Sequence, residues 1–342
     1  MAQLSLCLKL LGVKILQKLI IRKLEETEYE RWDKFVANSP QGTLFHKSYW
    51  LKASGQTFNI YGYFKDDKLI AGLPIGCGDS KLGIKIATHP SLTPYLGVIF
   101  GESEAKYVTR ISKENEISRA IAVKIKDDFD SIYFRFTPFS IDLLPFIWEG
   151  FSIGVRYTYL LDLNDLKDVW EGMDATRRRN IRRAEKDGIY VDSNMDFKEM
   201  FILVEKAFER QKKRVTFRSF AFKYNEVLHK KKQCNSFIAR NKNGKAIAGV
   251  YIVWDEKRAY YVLGGYDSEE SHHGATAIAI WEAIKFIKRE LELSQFDFEG
   301  SMIQPIEQFF RKFGGRCVPY YSVYYEKPML KFLRAVRGVI KK

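Results

Sequence analysis

Two spacings of apolar residues alternate along the chain, one of period two and one near three and a half. Leu19 to Leu24 reads as a strand. Glu28 to Val36 reads as a helix capped by Thr27, with Tyr29, Trp32 and Val36 on one face and Phe35 beside them. Asn59 to Cys77 has the form of a hairpin turning at Asp66-Asp67. Residues 102–125 carry helical spacing, and Ser131 to Phe136 and Phe151 to Leu163 read as strands. The second half repeats the theme. Asn164 is placed to cap one long helix that stops at Gly188. Helices near 196–212 and 219–231 precede a hairpin from Ser236 to Trp254, whose Asn243-Gly244 is a strong two-residue turn signal. A strand at Tyr260–Tyr266, a helix at 273–290, a strand at Phe296–Glu299, a helix at Ile303–Phe313 and a strand at Val318–Tyr325 complete the pattern.

The two hairpins resemble each other: Lys68-Leu69-Ile70-Ala71-Gly72 parallels Lys245-Ala246-Ile247-Ala248-Gly249. The expectation is an α/β chain with a duplicated unit, its mixed, mostly antiparallel sheets flanked by helices. The boundaries expected are an extension at 1–17, one domain at 18–163, a second at 164–327 with the main site, and a basic amphipathic helix at 328–342.

Composition sharpens this picture in three places. A chain of 342 residues, 46% hydrophobic, suits two cores and argues against disorder. The formal charge of +14, from 56 basic and 42 acidic residues, draws polyanions such as tRNA, coenzyme A, nucleotide-sugar pyrophosphates or anionic lipid headgroups. The cysteines at 7, 77, 234 and 317 form no C-x-x-C pair and the histidines no H-E-x-x-H, so no disulfide framework or metal site is expected, and a reducing compartment fits. Leu4 to Leu24 is interrupted by five basic residues, well short of the ~20 apolar residues a span needs, and lacks a signal-peptide cleavage pattern. The expected location is cytoplasmic, or peripheral on the inner face of the cell membrane. The peripheral reading rests on Met329, Leu333, Val336 and Ile340 forming one stripe of the C-terminal helix.

Three segments carry candidate chemistry. The first is Thr176 to Lys186, the densest charge cluster: Arg179, Arg183 and Lys186 share a helical face, Arg178 and Arg182 make a neighbouring row, and Arg177 opens the run. Guanidinium forks suit phosphate oxygens. Arg210 and Arg214 belong to a second basic run, and Tyr224 joins them as a substrate-binding candidate. The second segment is a strand, Tyr261 to Asp267, that reaches Gly264, Gly265 and Tyr266 and passes through His272 and His273 into a helix, whose free N–H groups can face an anion. Its Ser271-x-x-Gly274-x-Thr276 is a poor match to the pyrophosphate loop of acetyl-CoA enzymes. Either histidine could carry a proton or simply cap the helix. The third is Gln295 to Ser301, where Asp297 and Glu299 alternate with Phe296 and Phe298. An acid at a strand's end is a reasonable general base for an amine; the alternative is an acid paired with a basic helix. Arg311, or its neighbour Lys312, could stabilise an oxyanion or merely complement the helix dipole.

Residues 170–325 resemble the Fem-type aminoacyltransferases that form peptidoglycan bridges, and the broader GNAT-like acyltransferases. The pieces are Arg177-x-x-Asn180-Ile181-Arg182-x-Ala184-x-x-x-Gly188, Ile247-Ala248-Gly249, Gly264-Gly265-Tyr266, Phe296-Asp297-Phe298-Glu299-Gly300 and Phe309-x-x-x-Phe313-Gly314. The resemblance implies tandem GNAT-like domains and transfer of an aminoacyl group from tRNA to an amine of a cell-wall precursor; the partners expected are an anionic substrate, tRNA and a lipid-linked precursor. One departure is that Phe310 stands where relatives carry lysine, so that either Arg311 takes over or the chemistry differs. No permanently bound cofactor is expected; the acyl donor, aminoacyl-tRNA or an acyl thioester on coenzyme A or carrier protein, is a co-substrate. A non-catalytic basic module for membrane or RNA is the competing reading.

Overall fold

Thirteen strands, counted among the described residues, form one continuous sheet. The computed structural model describes residues 19–79, 83–194, 196–270 and 272–331. The strands are β1 (Leu19–Lys23), β2 (Phe58–Lys65), β3 (Lys68–Asp79), β4 (Lys85–Thr88), β5 (Ile99–Phe100), β6 (Ser131–Arg135) and β7 (Ser152–Asp162), then β8 (Tyr190–Asn194), β9 (Cys234–Arg240), β10 (Ala246–Trp254), β11 (Ala259–Tyr266), β12 (Gln295–Asp297) and β13 (Arg316–Glu326). Their order is β1-β2-β3-β4-β6-β13-β7-β12-β11-β10-β9-β8, with β5 added to β3.

That order is a palindrome about the β13–β7 pair. β4 runs parallel to β6 over two residue pairs, and β11 runs parallel to β12 over two. Every other pairing is antiparallel on both sides. The last strand of each half is exchanged: β13 lies on β6, and β7 lies on β12. The duplication first visible in two five-residue stretches therefore extends through the whole sheet.

The same glycine does the same work in both halves. Helix α1 (Tyr29–Asn38) crosses β3 with Trp32 so close to Gly72 that an added Cβ would lie 2.5 Å from the indole. Helix α7 (Phe197–Arg210) crosses β10 with the Met200 sulfur 2.6 Å from a Cβ built on Gly249. The repeated Ala-Gly is thus a helix-to-strand packing device.

The remaining helices are α2 (Ser48–Ala53), α3 (Tyr107–Asp128), α4 (Leu144–Trp148), α5 (Leu166–Gly172), α6 (Ala175–Lys186), α8 (Arg218–Lys231), α9 (Ala275–Arg289) and α10 (Gln304–Arg311). The long helix expected from Asn164 to Gly188 is two helices. Asp165 caps α5 through Lys167 N and Asp174 caps α6 through Thr176 N, so the second acceptor restarts the chain after Gly172. Gly188, at φ +76°, ends the pair as expected. Thr27 does not cap α1; a short 3-10 turn at Glu26–Glu28, boxed by Glu25 and Glu28, precedes it. Residues 1–17 lie outside the described residues, as do 332–342 of the expected C-terminal helix, whose first turn is formed by Leu330 N and Lys331 N donating to Lys327 O.

The halves share a core. Phe45 and Tyr95 from the first half pack with Tyr260 and Tyr320, ring centres 4.9 to 6.0 Å apart. Asp255 ties the joint by accepting from Leu44 N and Tyr260 OH, each at 2.8 Å.

Candidate active site

Where β11 and β12 part after two residue pairs, the second half opens. Tyr261, Phe298 and Phe310 fill the opening, with ring centres 5.1 and 5.2 Å apart. The Tyr261 hydroxyl covers Gly264, since a Cβ there would sit 1.7 Å from it.

Beyond this aromatic plug lies a cavity of about 450 Å³ between α6, the start of α9 and one face of α10. From α6 it receives Thr176, Asn180 and Arg183, at i, i+4 and i+7, together with Arg177. The α9 start gives His272, His273 and Gly274, and α10 gives Gln308 and Lys312. Its charged lining is cationic throughout: two guanidiniums and one ammonium with no carboxylate. The cavity also borders the start of a 15-residue helix, whose dipole adds to its attraction for an anion.

Each wall is held in place. Asp174 N donates to Lys312 O at 3.0 Å, fixing the start of α6 to the end of α10. Arg177, 3% exposed, lies over the rings of Phe309 and Phe313 at 4.0 and 4.6 Å and donates to Phe309 O. Burial pushes its guanidinium down to about 10, still charged at neutral pH. Its Nε has no partner among the described residues. Arg177→Ala should lower stability by about 2 kcal/mol through the lost stack, read from urea unfolding; Arg177→Lys should restore little, because an ammonium lacks the planar face. Gly274 lets α6 approach, for a Cβ there would meet Asn180 O at 2.1 Å.

His272 is a positioned cap. Gly274 N donates to its Nδ1 at 3.0 Å, so Nδ1 is unprotonated and Nε2–H donates to Asp187 Oδ2 at 3.1 Å. That bond, and Arg183 beside it, hold the Asp187 carboxyl below the usual range. His273 is exposed on the cavity wall.

The expected convergence of carboxylates and arginine helix does not occur. Asp297, 0% exposed, sits in the middle of the sheet, where its Oδ1 accepts from Thr158 Oγ1 at 2.6 Å, Glu299 N at 2.8 Å and Tyr95 OH at 3.5 Å. Burial pushes its carboxyl up to about 6, against the hydrogen bond from Thr158. Glu299, half-buried at φ +53°, has an Oε1 without a partner among the described residues; burial, then the neighbouring Asp297, raise its carboxyl well above the usual range. Neither lines the cavity bordered by α6. A lone strand pattern could not reveal this, because β12 is covered on both faces.

Other expectations are corrected. Arg311 is 58% exposed and points to Glu307, 3.6 Å away, so Lys312 one residue on reaches the cavity instead. Arg178, Arg179 and Arg182 lie off the cavity, Arg182 resting over Trp170. Arg210 lies over the Tyr266 ring at 5.0 Å, and Arg214 is exposed in the link after α7; neither lines the cavity, nor does Tyr266. Tyr224 is buried, stacked on Trp50 with its hydroxyl donating to Ser91 O, and serves the joint between halves. Gly265 accommodates the α7 backbone. Sequence reading did not single out Thr176, Asn180 or Gln308 as lining residues, and it put Arg311 ahead of Lys312; the signal was present as polar residues at i, i+4, hidden under the stronger arginine pattern.

Residues 173–305 match the family model described as an acetyltransferase (GNAT) domain. The fold is shared with FemX at 13% identity, TM-score 0.67, over 88% of this chain and 96% of that one. It is shared also with a tandem GNAT protein from the clavulanic acid biosynthesis pathway, at 10% identity and TM-score 0.54, over 90% and 98% of the two chains. L-PGS from Bacillus licheniformis follows at 12% identity and TM-score 0.54, over 92% and 97%. Comparison with curated protein sequences finds no match. The chain therefore carries a GNAT-type acyltransferase domain at residues 173–305. Its architecture is the tandem, Fem-like one, two GNAT-like halves joined through exchanged strands.

Proposed function

We propose that the protein transfers an aminoacyl group from tRNA to an amine of an anionic cell-envelope precursor, and that the cavity between α6, α9 and α10 holds the anionic co-substrate. The observation that carries this reading is the wholly cationic lining at a helix start. FemX, similar in fold, sets the direction. In the reaction the amine nitrogen bonds to the ester carbonyl carbon, the carbon–oxygen bond to the tRNA ribose breaks, and the proton lost from the nitrogen passes through a base to the leaving oxygen. His273 is the exposed titratable base of the cavity, and Lys312 is the donor for the developing oxyanion. Acyl-CoA fits less well, because the Tyr261–Phe298–Phe310 plug occupies the opening between β11 and β12 that a thioester arm would need, and α6 crowds the start of α9 at Gly274. No helix among the described residues is long and apolar enough to cross a membrane; work at the inner membrane surface would rest on the basic C-terminal segment.

The test is transfer of radiolabelled aminoacyl groups from tRNA, and in parallel of acyl groups from coenzyme A, to lipid-linked and nucleotide-linked amine acceptors. His273→Gln should lower kcat about a hundredfold, and Arg183→Ala should raise KM for the anionic partner. Loss of turnover in Glu299→Gln with His273→Gln unaffected would move the chemistry to the joint between halves. Transfer from acyl-CoA alone would remove tRNA from the reaction.

A further inference from the structure

The first half keeps its own cavity where the palindrome maps the α9 start onto α3, and its chemistry is reversed. This cavity, about 480 Å³, lies between the end of β5, the first three turns of α3 and the loop after β6. Phe100, Phe136 and Phe139 form apolar walls. Glu102, Glu104, Glu114 and Asp142 set four carboxylates against the single guanidinium of Arg110. In a chain of formal charge +14, that local excess of negative charge runs against the whole.

Two features make it more than an acidic surface. Asp142 is held rigidly, its Oδ1 accepting from Leu144 N at 2.8 Å and its Oδ2 from Asn115 Nδ2 at 3.0 Å. Ser118, 5% exposed, lines the cavity with a hydroxyl that has no partner among the described residues. A serine inside a helix ordinarily bonds back to the carbonyl four residues earlier. Ser112 on the same helix does so, donating to Val108 O at 2.9 Å. The Ser118 hydroxyl makes no such bond among the described residues and lines the cavity. Glu114, one turn earlier on that face, is 3.7 Å from Arg110 Nε without a hydrogen bond, and burial raises its carboxyl. A cation brought alongside would complete both groups.

We propose that this cavity binds a ligand bearing an aliphatic primary ammonium on an apolar stem, the ammonium at the Glu114, Asp142 and Ser118 end and the stem against the phenylalanines. The site is separate from the cationic cavity and does not depend on the transfer reaction proposed for it.

The experiment is calorimetric titration of the full chain at low salt with 1,5-diaminopentane, with Nα-acetyl-lysine amide, and with neutral 1,5-pentanediol. Saturable binding of an amine, at least tenfold tighter than the diol, is expected. Glu114→Gln should weaken it at least tenfold and Ser118→Ala about threefold, and the wild-type affinity should fall as salt rises, while Arg183→Ala in the other cavity should leave it unchanged. Preference for the lysine amide assigns a peptide-borne amine, and preference for the diamine a free polyamine. Equal binding of the diol, no saturable binding at millimolar amine, or undiminished binding by Glu114→Gln overturns the proposal. Glu102→Gln, at an exposed position, serves should Glu114→Gln fail to fold, with at least threefold weakening expected and none counting against the site.

Discussion

Gly265→Ala should lower the unfolding free energy by about 3 kcal/mol. A Cβ on Gly265 would lie 2.3 Å from the carbonyl carbon and oxygen of Leu203 and 2.4 Å from Val204 N. These are backbone atoms in the middle of α7, and a helix cannot yield there without losing its seat on β10 and β11. Gly264→Ala is the control. Its Cβ would meet the end of the Tyr261 side chain, which can swing aside, so the cost should be smaller. Urea unfolding of the two variants reads the difference. Equal stabilities would mean that α7 does not bear on β11 as described.

Asp297→Asn should become more stable than the wild type as pH rises from 4 to 7. Asp297 titrates near 6 in the folded chain against 3.8 for an ordinary aspartate, burial being the main cause. Between those values the native state binds more protons than the unfolded one, so this group's contribution is full below the unfolded value and is lost as pH rises through the folded one. Two pKa units correspond to about 3 kcal/mol. Asparagine keeps an acceptor for Thr158, Tyr95 and Glu299 N and cannot ionise. The stability gap between variant and wild type should therefore widen across that window by up to about 3 kcal/mol, measured by urea unfolding at fixed pH steps. A gap that stays constant or narrows would show that Asp297 is not a desolvated carboxylate. Asp297 then works as a fixed buried acceptor at the sheet's centre, whatever the base in the transfer.

Most strands and helices were legible because their patterns are local. A helix or strand half-covered by the core repeats its apolar residues at the period of its own backbone, as α7 and the β9–β10 hairpin do. Short elements escaped. β4, β8 and α4 are too brief for a period to show, and the break at Asp174 depends on which of two nearby acceptors captures the backbone.

The candidate site was legible in its composition and not in its geometry. The arginine run announced a cationic helix, but a helix has several faces: the buried one carries Arg177, Ile181 and Ala184, and the one bordering the cavity carries Thr176, Asn180 and Arg183. Arg177 reads as a phosphate ligand until the aromatic pair of α10 is placed beneath it.

By itself the sequence determined the element order, the duplicated hairpin, the positive charge and the acyltransferase resemblance, since each is stored in neighbouring residues. Only the tertiary structure decided that β7 and β13 change places, that Asp297 is sealed, that Lys312 rather than Arg311 reaches the cavity, and that the two halves carry cavities of opposite charge. Those facts depend on contacts between residues distant in sequence, and no local period encodes which faces meet.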